Sequence, residues 1–186
     1  MSYKEIIEKL SLQGVVFADG LTNKEFNNIE KFYDIEFPTD LKDFLSIALP
    51  ISKGFYNWRD FSEENVNTIK NQLEWPLEGM IFDIEHNSFW YKEWGAKPDN
   101  QMEAIKLCKK EMKKVPKLVP IFSHRYISSE PKERGNPVFS IYQTDIIYYG
   151  EDLRSYLKIE FNMRTQNNID FTKVKYIRFW SEIIGK

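Results

Sequence analysis

The tightest local constraint on this chain is Thr22-Asn23-Lys24-Glu25, where a hydroxyl and a carboxylate three residues apart can satisfy the free amides at the start of a helix. Phe26, Ile29 and Tyr33 continue from it as an apolar stripe at helical spacing. Pro38 then breaks the chain. Thr39-Asp40 opens a second helix carrying Leu41, Phe44, Leu45 and Ala48 on one side, with Pro50 as its stop. A capped helix, a proline and a second amphipathic helix within 30 residues commit this segment to a packed helical corner.

Elsewhere the apolar spacing sets the expectations. Ile6, Ile7 and Leu10 predict a helix over residues 2–12, and Val15-Val16-Phe17 an edge strand or buried loop. Ser62 reads as the N-cap of a third helix carrying Val66, Ile69 and Leu73 and closed by Pro76. From Met80 the period changes to two, predicting a strand with Met80, Phe82 and Ile84 on one face and Asp83 and Glu85 on the other. A helix follows over residues 101–114, its inner face formed by Met102, Ile105, Cys108 and Met112. Residues 118–122 and 138–142 read as strands, separated by a Pro- and Gly-containing loop over 128–137. Residues 152–161 read as a helix, and residues 171–186 as a strand and a short terminal helix. Helices and strands come in mixed order, so the expected class is α+β, one domain over residues 1–186.

Composition bounds the function. With 42% hydrophobic and 29% charged residues the chain is that of a folded protein, and its 16% aromatic content is high. The formal charge of −2 gives no sign of a nucleic-acid binder. Residues 1–100 carry 10 Lys/Arg against 18 Asp/Glu, and residues 101–186 carry 16 against 10. Such halves can pair with each other in the fold, or leave an acidic face for a basic partner. The lysines at 106, 109, 110, 113, 114 and 117 read as a solvated helix face. The single Cys108 permits no intramolecular disulfide, and with two histidines a structural zinc site is nearly excluded, so no metal or cofactor is expected. No apolar run is long enough to span a membrane and no signal peptide is visible, which makes the cytoplasm the expected compartment. Phosphate loops, dinucleotide fingerprints and zinc-protease helices are absent from the sequence.

Three segments carry candidate chemistry. Asp83 and Glu85 on one strand face suit acid–base work, a hard cation or the cations of a partner, with Trp90 and Trp94 nearby as core residues or binding anchors. His124 beside Arg125 is expected to stay neutral. Asn136, Gln143 and Asp145 interrupt apolar surroundings and suit a hydrogen-bond network or a pocket wall. Convergence of Asp83, Glu85, His124, Arg125 and Asp145 would build a small-molecule or hydrolytic pocket.

Residues 21–50 resemble the opening of the SUKH superfamily, which includes bacterial immunity proteins and fungal regulators of cell-wall glucan synthesis. The resemblance lies in Ile29-Glu30, then Phe32-Tyr33-Asp34-Ile35-Glu36-Phe37-Pro38, then Asp40-Leu41-Lys42-Asp43-Phe44-Leu45. Ala48-Leu49-Pro50-Ile51-Ser52-Lys53-Gly54 stands where many relatives have an Asn-Gly-Gly turn. The resemblance implies a curved, mainly antiparallel sheet flanked by helices, and a non-enzymatic binder, typically the cytoplasmic antidote of a co-encoded toxin, often a nuclease. On that basis Asp83 and Glu85 are the expected charge contacts and Trp90 and Trp94 the expected anchors. A regulatory scaffold is the other role the resemblance implies.

Overall fold

The computed structural model describes residues 1–184. Helix α1 (Tyr3–Leu12) leads into β1 (Phe17–Asp19), α2 (Asn23–Tyr33), α3 (Thr39–Ile47) and β2 (Ala48–Pro50). A 24-residue α4 (Glu63–His86) and α5 (Gln101–Met112) precede the strands β3 (Leu118–Phe122), β4 (Arg125–Ser128), β5 (Val138–Tyr142) and β6 (Asp145–Gly150). Helix α6 (Leu153–Glu160) and the short α7 (Trp180–Ile183) complete the α+β fold. β1 and β2 form an antiparallel ribbon, and β3-β4-β5-β6 an antiparallel meander in sequence order.

Both faces of the meander are covered, which is why its strands read as near-continuous apolar runs. Val119, Ile121, Ile127 and Val138 join a core with α1, α2, α3 and α6. Tyr126, Phe139, Ile141 and Ile146 face the other way, onto Met80 and Ile84 of α4, Ala104 and Cys108 of α5 and Ile177, Phe179 and Trp180 near the C-terminus. Burial pushes the Cys108 thiol up to about 12, so it packs as a small apolar residue.

The helical corner forms as its local chemistry dictates. The Thr22 hydroxyl accepts from the Glu25 amide, and the Glu25 carboxylate accepts from the Thr22 amide at 2.8 Å. Arg59 binds that carboxylate at 2.6 Å and, with the cap, holds it down at about 2. Glu30 reaches around the corner to accept from the Phe37 amide at 2.9 Å, and Phe37 packs edge-on against Phe26 and Trp58. Here the two oppositely charged halves meet. Lys117 pairs with Asp34, Lys132 with Glu36 and Arg134 with Asp43, and the Gly135 amide donates to the buried Asp40.

Several expectations are corrected. The second helix stops at Ile47, because Ala48–Pro50 is drawn out to pair with β1. Met102 is 80% exposed, and Ala104 takes the inward position with Cys108. A 3-10 turn at Phe171–Lys173 stands where a strand was expected, while the short terminal helix forms as α7; residues 185 and 186 lie outside those described.

The largest correction concerns residues 76–86, which are helix and not strand. Pro76 is buried inside α4 and does not end it. A proline removes one backbone donor, so the carbonyl four residues earlier loses its helical partner. That carbonyl belongs to Gln72, and the hydroxyl of the fully buried Tyr126, on β4, donates to it at 2.9 Å. The sheet supplies the hydrogen that the helix lacks, and α4 runs on for ten more residues.

Candidate protein-binding surface

Continuing α4 past Pro76 reassigns every candidate on it. Residues two apart on a helix point to nearly opposite sides, so Asp83 and Glu85 do not share a face. Asp83 is 3% exposed and points into the fold. It accepts from the Thr144 amide at 2.8 Å, and from the Thr144 hydroxyl and the Asn87 side chain at 2.5 Å each. Burial pushes its carboxyl up, but these donors outweigh that and hold it below the ordinary carboxylate range. Asp83 therefore fixes the turn between β5 and β6. Gly79, one helical turn earlier, lets the backbone of Gln143 approach so closely that a Cβ there would stand 2.7 Å from the Gln143 Cα.

Glu85 points to solvent, with the His86 ring 4.0 Å from its carboxylate. It belongs to a ridge along the outer side of α4. Trp75, Glu78, Phe82 and Glu85 follow one another at spacings of three and four, with Glu74 alongside. Trp75 is 37% exposed and Phe82 43%. The Tyr142 ring, 58% exposed on β5, stands 6.2 Å from Trp75, and Asp145 lies across the hairpin from Tyr142. Among the described residues no cation pairs with Glu63, Glu64, Glu74 or Glu78, in contrast to the carboxylates of the α2–α3 corner. The ridge thus combines exposed rings with unneutralised carboxylates.

Trp90 and Trp94 are half-buried. The Trp90 indole donates to the Gly95 carbonyl at 2.8 Å and meets Trp94 edge-on, while Trp94 stacks on Phe179. Trp90 also lines a cleft of about 330 Å³ with Phe89, Tyr91, Lys92, Thr144 and Ile183. These contacts make Trp94 chiefly a core residue.

The pocket candidates form no single hydrogen-bonded group among the described residues. Arg125 donates to Glu160 at 3.2 Å and to the Ser140 hydroxyl at 2.9 Å, and lies over the Tyr149 ring. His124 contacts the same guanidinium, and burial together with that cation holds its imidazole below the usual range. Asn136 lies at the other end of the sheet, in the β4–β5 connection, where it donates to the Ser128 and Pro131 carbonyls. Among the described residues no hydrogen bond or ion pair joins Asp145 to His124 or Arg125, and no group of three His, Cys, Asp or Glu stands ready to hold a metal. Nor is any described helix long and apolar enough to cross a membrane.

Of the residues singled out from sequence, Glu85 lies on the ridge and Asp145 at its edge, and the rest serve elsewhere. Trp75, Glu78, Phe82 and Tyr142 were missed because the ridge exists only if the helix continues through Pro76. Their three-and-four spacing was present but masked by the period-two reading. Compared with models of protein families, with curated proteins and with solved structures, the chain matches none.

Proposed function

We propose that this chain is a non-enzymatic protein-binding module, an immunity protein of SUKH type that covers the active surface of a basic toxin domain. The observation that carries this reading is the α4 ridge, where Trp75 and Phe82 stand exposed among Glu74, Glu78 and Glu85. Unpaired carboxylates steer a basic partner into contact, and aromatic rings among them supply the buried anchors that dominate interface energies. A nuclease suits the ridge because a surface built to bind phosphates is itself basic. The cytoplasm is where such an antidote would act.

The test is capture of a partner from the host lysate by the tagged chain, alongside a Trp75→Ala/Glu78→Lys variant of unchanged circular dichroism. The expected result is one stoichiometric basic protein, held by the wild type and lost by the variant, whose toxic activity the wild type suppresses. A captured protein that binds both chains equally overturns the reading.

A further inference from the structure

The α4 ridge has a counterpart on the same molecule. On α5 and its C-cap, Lys106, Lys109, Lys110 and Lys113 are exposed with Met102, and among the described residues none of these lysines is in an ion pair. α4 and α5 pack against each other, and Met80 and Ile84 of α4 share one apolar cluster with Ala104 and Cys108 of α5 and with Tyr126 and Phe139 of the sheet. The exposed sides of both helices turn away from that cluster, and among the described residues of the ridge Trp75 alone reaches the edge of β5, its indole donating to the Ile141 carbonyl at 3.3 Å. No described ion pair joins the two helices, so the acidic and basic ridges lie in one layer without neutralising each other.

We propose that a second copy of this chain docks on this layer, face to face, with its lysine ridge over the acidic ridge of the first. A two-fold axis along the seam between the helices places α4 of each copy over α5 of the other, so both contacts form at once and the assembly closes. An axis across the helices would set like charge on like. Trp75, Phe82 and Met102 supply the apolar area within this charged frame. The dimer uses the ridge assigned above to a toxin, so the two associations exclude each other and the free protein keeps its ridge covered until a basic partner displaces the second copy. The inference does not rest on the toxin reading.

Sedimentation of the purified full chain, without any partner, tests it. Dimers are expected at low ionic strength, with the dissociation constant rising about tenfold or more at about 0.5 M salt, where the screening length shrinks to a few ångströms. Glu74→Lys/Glu78→Lys and Lys109→Glu/Lys110→Glu change only exposed side chains, and each variant alone is expected to be monomeric. Mixed in equal amounts they are expected to form a heterodimer, because one then presents two basic ridges and the other two acidic ones. A wild type that stays monomeric at about 200 μM in low salt overturns the proposal, as do variants that self-associate like the wild type or a mixture that stays monomeric. Either outcome leaves the toxin reading to its own capture test.

Discussion

Pro38 and Pro76 both stand beside helical residues, yet one bounds a helix and the other lies within one. Pro38 is the residue before α3, at a corner where Glu30 already holds the Phe37 amide and Phe37 fills the angle between the helices. Pro76 leaves the Gln72 carbonyl without its helical donor, and the β4 residue Tyr126 makes good the loss. The turn at Pro38 is set by contacts within a dozen residues, Glu30 to Phe37 and Phe26 to Phe37, and more distant residues only brace it. The helix through Pro76 is specified by partners more than fifty residues away in sequence. The effect of a proline depends on where the orphaned carbonyl finds its next donor.

This contrast predicts that substitutions at the long-range contacts of α4 cost more than those at the local cap. Gly79→Val should cost the most, about 3 kcal/mol in equilibrium urea unfolding, since the added side chain meets the Gln143 backbone, which cannot step aside. Tyr126→Phe should cost about 2 kcal/mol by leaving the part-buried Gln72 carbonyl without a donor and the Gln72 side-chain amide without its acceptor. Adding Pro76→Ala returns a backbone N–H to that carbonyl, so the double variant should recover a good part of the loss. A coupling energy below about 0.5 kcal/mol in this cycle would break the account of Pro76.

Asp83→Asn should cost about 1.5 kcal/mol at neutral pH, and its dependence on acid sharpens the comparison further. The folded Asp83 carboxyl is held below its unfolded value of about 3.9, so its stabilisation is complete above that pH and fades as pH falls through the folded value. The gap between wild type and variant should therefore narrow below about pH 4. Thr22→Ala, at the local cap, should cost only about 1 kcal/mol. Glu78→Lys, on the exposed ridge, should change stability by less than about 0.5 kcal/mol while abolishing partner capture.

Much of the fold was legible because its signals are local. The corner of α2 and α3, helix α6, and strands β3 and β5 all follow from spacing and turn residues within a few positions. The site was legible only in part. Glu85 was singled out for its charge and Asp145 as a polar break in apolar surroundings, but the strand reading paired Glu85 with Asp83 and sent both to the same surface. On the helix that forms, Asp83 becomes a buried clamp on the β5–β6 turn and Glu85 an exposed member of the ridge.

From sequence alone came the α+β class, the capped corner, the buried thiol and the charge difference between the two halves. The tertiary structure alone decided where that charge goes: the corner carboxylates pair with the basic half, while those on the outer side of α4 stay open to solvent. It also decided that a 24-residue helix runs through a proline. The reason is common to both. Capping and periodicity are satisfied by residues three or four apart, but an orphaned carbonyl or an unpaired charge is satisfied by whatever the fold brings alongside, and no local window contains that information.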